Sequence, residues 1–167
     1  MRQSYIASLG DYLRPLCETM FAEDLALEWS YLRGWPKEEC LQDVLQRHAQ
    51  RDAALGYTQY GPHRADFVLK SRGQPAFQVL SQGQQKNLAY AVLLAQMQLQ
   101  VQHESAILLI DDLPAELDPR RIEMISEVIQ ELQVQTFVSA ISAAELPFLT
   151  SLPHRLFHVK QSSAEVV

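Results

Sequence analysis

The chain has 167 residues, with 14 Lys+Arg against 20 Asp+Glu and a formal net charge of −6. At 47% hydrophobic and 20% charged residues, with only 6 Gly and 8 Pro, it has the mix and length of one globular domain, which excludes disordered, collagen-like and linker-like chains. The acidic balance argues against nonspecific nucleic-acid binding by the chain as a whole, leaving room for a local basic patch, and no apolar run approaches the ~20 residues that cross a bilayer. Met1-Arg2-Gln3-Ser4 leads into no signal-peptide core, and Cys17 and Cys40 form neither a disulfide framework nor a zinc pattern. Both features point to a cytoplasmic protein with no membrane association.

In chain order, Ile6, Leu9, Leu13, Leu16 and Met20 recur every three or four residues, which predicts a helix kinked or bounded at Pro15. Residues 25–32 alternate as a half-buried strand does. Pro36 suits the first turn of a second helix, with Glu38 and Glu39 at its positive end and Leu41, Val44, Leu45, His48 and Leu55 on one side. Residues 66–70 and 76–80 read as two short strands about a turn, and a long helix follows Ser81 with Leu88, Val92, Ala95 and Leu99 in one stripe. Residues 106–110 are a continuous apolar run, the pattern of a parallel strand buried on both faces. Asp118 and Pro119 predict an N-cap and first position for a helix striped by Ile122, Ile125, Ile129 and Leu132. Strands at 134–140 and 155–159 complete an alternation that implies an α/β sheet.

Three features in the second half carry chemistry. In Leu80-Ser81-Gln82-Gly83-Gln84-Gln85-Lys86, Ser81 and Gln84 form a Ser-x-x-Gln capping box, and Gly83 lets the first turn approach another surface. The result is either an ordinary capped helix or an anion site made of free backbone N–H groups and a hydroxyl. Asp111 and Asp112 close the apolar run. Two carboxylates there repel each other, so they either sit in solvent at a turn or are compensated by a cation. In phosphoryl-transfer enzymes the first such carboxylate serves Mg²⁺ and the second orients or activates water. Leu113-Pro114-Ala115-Glu116-Leu117-Asp118 then leads into the Asp118 cap.

Taken together, Leu-Ser-x-Gly-Gln-Gln-Lys, a helix, an apolar strand ending Asp-Asp, and Glu-Leu-Asp resemble the signature motif, Walker B strand and D-loop of the ABC-type ATPase heads of the SMC and RecF group. Gly61-Pro62-His63-Arg64-Ala65-Asp66, the strand around residues 135–143, and Asp-Asp in place of Asp-Glu resemble the RecF family within it. The resemblance is good over about residues 51–142. It implies a partial ABC-type, P-loop NTPase-like head with a parallel or mixed sheet flanked by helices (residues 61–167). The end of a helical arm and an α+β lobe segment would precede it (residues 1–60).

By the same resemblance, Ser81, Gly83 and Gln84 face the γ-phosphate of ATP held by a partner subunit, Asp111 serves Mg²⁺, and Asp112 handles the attacking water. Asp118 lies near the partner's nucleotide. Ser139 takes the strand-end place where many ABC proteins carry a switch histidine, either bonding phosphate or water or acting as a plain strand-end hydroxyl. His63 and Arg64 either contact nucleotide or nucleic acid or tie the loop to the following hairpin. The resemblance further implies an ATP-dependent homodimer active in DNA repair, recombination and the SOS response. It would bind gapped DNA and single-strand/double-strand junctions and help load the recombinase with RecO and RecR.

Two departures stand out. Ala115 replaces the serine usual before Glu-Leu-Asp, removing one interface hydroxyl. No Gly-x-x-x-x-Gly-Lys-Ser/Thr is present: Lys37, Lys70, Lys86 and Lys160 are the lysines, and none follows a glycine. The chain therefore reads as the C-terminal part of such a protein, inactive as an ATPase on its own. The alternative is a non-catalytic interaction domain with a decayed motif set. A metal-dependent hydrolase using Asp111, Asp112 and Asp118 would need further ligands, and no His-rich set supplies them.

Overall fold

The computed structural model describes residues 2–21, 23–150, 152–160 and 163–166, which fall into two compact units, 1–99 and 100–167. The first unit opens with helix α1 (Arg2–Met20), which buries Leu9, Leu13, Leu16 and Met20 of the predicted stripe together with Cys17, leaves Ile6 half-buried, and runs unbroken through Pro15. It lies on strand β1 (Leu27–Leu32) at Gly10. A Cβ there would come within 2.6 Å of the Trp29 indole nitrogen, and the Arg14 guanidinium stacks 5.0 Å from the centroid of the same ring. Helix α2 (Leu41–Leu55) starts later than Pro36 predicts. The Arg33 guanidinium binds the carbonyls of Pro36 and Glu39, and Glu39 N–H closes a turn onto Pro36, so these residues are committed to a loop.

Strand β2 (Asp66–Ser71) pairs antiparallel with β1 from Leu27↔Ser71 to Leu32↔Asp66, and β3 (Gln74–Pro75) pairs with β2. Positive φ at Arg72 (52°) and Gly73 (77°) makes the tight turn between them. The predicted strand at 76–80 is instead a single helical turn, α3 (Ala76–Val79). Of this stretch only Ala76 and Leu80 are buried, a spacing of four, and the Gln85 side chain holds the carbonyls of Phe77 and Leu80 at 3.0 and 2.8 Å. Helix α4 (Gln82–Gln100) follows, with Leu88, Ala91, Leu94, Ala95 and Leu99 buried.

The second unit holds β4 (Ile107–Ile110), a short turn of helix α5 (Leu113–Glu116), α6 (Pro119–Leu132) and β5 (Gln135–Val138). Strands β4 and β5 run parallel, in register from Ile107↔Gln135 to Ile110↔Val138. The α6 cap is as predicted: Asp118 accepts from Arg121 N–H at 3.1 Å and Pro119 stands at the first position. Hairpin β6 (Phe157–Lys160) and β7 (Ser163–Val166) ends the unit, exposed on both faces.

A further expectation fails. β4 is not buried on both faces: Leu108 and Ile110 are buried, but Ile107 is 58% and Leu109 70% exposed, with Phe137 of β5 beside them. A two-stranded sheet covered on one side has nothing to lay on the other. The architecture is nonetheless mixed α/β and contains a parallel pair, the fold class the motif order predicts. Among the described residues no helix is long and apolar enough to cross a membrane.

Candidate functional site

Parallel pairing of β4 with β5 brings their C-terminal ends side by side, so Asp111 and Asp112 emerge next to Ser139. Ser139 N–H donates to the Ile110 carbonyl at 3.0 Å, continuing the ladder one residue past the strands. The Ser139 hydroxyl donates to Asp111 Oδ1 at 2.5 Å and accepts from Asp112 N–H at 2.8 Å. Asp112 takes a left-handed conformation, φ 50° and ψ 46°, and its side chain makes no cap to α5. Both carboxylates are exposed. Asp111 borders a shallow cleft of about 290 Å³, lined also by Leu109, Ile110, Phe137, Val138 and Ser139.

Asp118 caps α6. Burial works against its charge, but hydrogen bonds from the Arg121 backbone and guanidinium, with the Arg121 charge, outweigh it and hold the carboxyl below its ordinary value of 3.8. This residue is a helix cap held by an ion pair.

In the first unit, the start of α4 is a complete capping box. Gln84 N–H donates to the Ser81 hydroxyl at 3.3 Å, and Ser81 N–H donates to Gln84 Oε1 at 2.9 Å. Ser81 and Gly83 are exposed, and a Cβ on Gly83 would meet nothing within 4 Å. The residue that sequence reasoning misses here is Glu23. Its carboxylate accepts from Gln84 Nε2 at 2.9 Å and lies 3.6 Å from the Arg72 guanidinium. A partner 61 positions away leaves no local signal.

The Gly61–Asp66 stretch forms a 3-10 turn (Pro62–Arg64) fastened on several sides. Gly61 N–H donates to the Gly34 carbonyl at 3.1 Å, Arg2 donates to the Pro62 carbonyl at 2.8 Å, and a His63 ring nitrogen lies 3.0 Å from the Thr58 carbonyl. Buried Asp52 accepts from the backbone and side chain of Gln59, fixing the approach to this turn.

Thus the structure gathers Asp111, Asp112 and Ser139 at one strand edge of the second unit, and Ser81, Gly83 and Gln84 at one helix start of the first. Among the described residues no group of three or more His, Cys, Asp and Glu side chains is placed to enclose a metal. Any cation at Asp111 would take its remaining ligands from elsewhere.

Comparison with known proteins bears on family and fold. The chain matches no family profile. It is 35% identical over 168 residues to the DNA replication and repair protein RecF of Edwardsiella ictaluri, covering 99% of this chain and 47% of that protein. It is 37% identical over 162 residues to the protein of the same name from Cronobacter sakazakii, covering 96% and 45%. Among solved structures, that of the recombination mediator protein RecF-ATPrS in the RecFOR pathway superposes with a TM-score of 0.76 at 22% identity, over 99% of this chain and 45% of that one. An SMC head bound to the C-winged helix domain of ScpA gives 0.55 at 12% identity, over 96% and 42%. The chain spans about half the length of the curated relatives it matches. Over nearly its whole length the chain is homologous to RecF and corresponds to part of a RecF protein, with the fold of the matching portion of RecF and of an SMC head.

Proposed function

We propose that this chain is the C-terminal part of a RecF-type, ATP-dependent DNA-repair protein and contributes the signature, Walker B and D-loop portions of its ATPase head. The observation that carries the reading is the pair of aspartates fastened to Ser139 at the end of a parallel strand pair. Asp111 offers a hard carboxylate oxygen of the kind Mg²⁺ takes, and Ser139 bonds only one of its two oxygens. A lone carboxylate suits this ion, which keeps several waters and completes its shell with phosphates. When bound, the ion would neutralise charge on the transferring phosphoryl group. In this reading Asp112, exposed beside Asp111, accepts a proton from an attacking water.

At the α4 start, the N–H groups of Gln82 and Gly83, with the Ser81 hydroxyl, present donors to an anion such as the γ-phosphate on a partner subunit. In this reading the complete protein dimerises around ATP, binds gapped or junction DNA and acts with RecO and RecR in recombinase loading. Catalysis is positioning and charge neutralisation, so this chain without a phosphate cradle hydrolyses nothing alone.

The test mixes the chain with a separately expressed half carrying a P-loop. ATP binding is expected only in the mixture, and Asp111→Asn is expected to weaken its Mg²⁺ dependence. Tight Mg²⁺-ATP binding by the chain alone would overturn the reading. In the mixture, Asp112→Asn is expected to retain ATP binding and slow hydrolysis roughly 10²–10⁴-fold; normal turnover moves the role elsewhere. Ser81→Arg is expected to abolish ATP-dependent dimerisation in sedimentation while leaving the fold intact.

A further inference from the structure

We propose that Ser139 is a positioning residue for the two aspartates and not a ligand of the nucleotide. The proposal rests on the ATPase reading above for its catalytic consequence, but the clamp itself stands on geometry alone. A serine hydroxyl has one proton to give and two lone pairs. Here the proton goes to Asp111 Oδ1 and one lone pair receives Asp112 N–H. The only donor is in use, so none remains for a phosphate oxygen unless Asp111 is released.

The two bonds act on different parts of the pair. The first fixes the rotation of the Asp111 carboxylate and leaves its other oxygen to face a cation. The second grips the backbone of Asp112, whose left-handed conformation is disfavoured for L-residues, least so for aspartate and asparagine, and is here held by the bond. Because Ser139 N–H is itself bonded to the Ile110 carbonyl, the clamp is anchored in the sheet and carries no slack from a free loop. A hydroxyl is what the place requires: threonine supplies the same oxygen, alanine supplies none, and a histidine ring would reach past Asp111 instead of holding it.

The experiment has two arms. In this chain, amide hydrogen exchange is followed at Asp112 and at the remaining β4 and β5 amides in Ser139→Ala and Ser139→Thr. Ser139→Ala is expected to speed exchange at Asp112 about 5–10-fold, the loss of one hydrogen bond, with the strand amides unchanged. Ser139→Thr is expected to keep the slow rate.

In the reconstituted protein with its P-loop half, Ser139→Ala is expected to lower kcat roughly 10–100-fold at unchanged KM for ATP, with most activity recovered in Ser139→Thr. Unchanged Asp112 exchange in Ser139→Ala overturns the clamp. A raised KM with kcat preserved makes Ser139 a nucleotide ligand and overturns the proposal, as does a threonine variant no better than alanine. If the protein with Ser139 intact hydrolyses no ATP, the ATPase reading falls, while the exchange arm still decides the clamp.

Discussion

Asp112 sits at φ 50° and ψ 46°, a region that costs most L-residues about 1–3 kcal/mol and that asparagine and aspartate tolerate best. Asp112→Asn should therefore melt with the parent chain, whereas Asp112→Val should lose about 1–3 kcal/mol in chemical unfolding. An equal loss in both would mean that the carboxylate, and not the backbone, holds this corner together. Asp118 gives a pH-dependent counterpart. Its folded pKa lies below the ordinary 3.8, so its contribution is fully present above that value and disappears as pH falls through the folded pKa. Asp118→Ala should cost about 1 kcal/mol at neutral pH, and the difference from the parent should shrink as pH falls through the folded pKa. A gap that persists in acid would show that the Arg121 ion pair is not its source.

Elements whose signals are local were legible in the sequence, and those set by distant partners were not. Asp118-Pro119 announced α6 because cap and first turn are four consecutive residues, and Ser81 with Gln84 announced α4 for the same reason. Residues 76–80 read as a short strand, yet α3 forms there, with Gln85, beyond the segment, binding the carbonyls of Phe77 and Leu80. Pro36 looked like a helix start until Arg33 claimed the carbonyls around it. The loop before β2 depends on another unannounced contact. Gly34 has φ 94°, and a Cβ there would lie 2.1 Å from the Gly61 carbonyl oxygen. Gly34→Ala should destabilise by at least about 1–3 kcal/mol, since backbone must move. Gly73→Asn, at φ 77° with open space around it, should cost under about 1 kcal/mol by thermal melting.

At the scale of the whole chain, the likeness to RecF was legible because it rests on short runs, whereas the bonds that make Ser139 a clamp span 27 and 28 positions and leave no trace in spacing. The bare face of β4 and β5 follows from what a partial head lacks: an unbroken apolar run says that a strand is wanted inside, not that this chain supplies the cover. Ile107, Leu109 and Phe137 form an exposed apolar strip on a sheet with open edges, the kind of surface that pairs with another copy. The isolated chain should therefore sediment as an oligomer, and Leu109→Lys should shift it toward monomer with its helical circular dichroism retained. A monomeric parent would show that the strip is tolerated in solution.

The packing of α1 also decides how the chain meets a thiol reagent. Burial, with a smaller push from Glu18, raises the Cys17 thiol to about 11, while Cys40 stands exposed ahead of α2. Near neutral pH only about one Cys17 in 10⁴ carries the reactive thiolate, and that sulfur is out of reach. A maleimide dye should therefore mark Cys40 alone on the folded chain, giving a single optical reporter with no engineered site. The appearance of a second label during a urea titration would then time the release of α1 from the first unit.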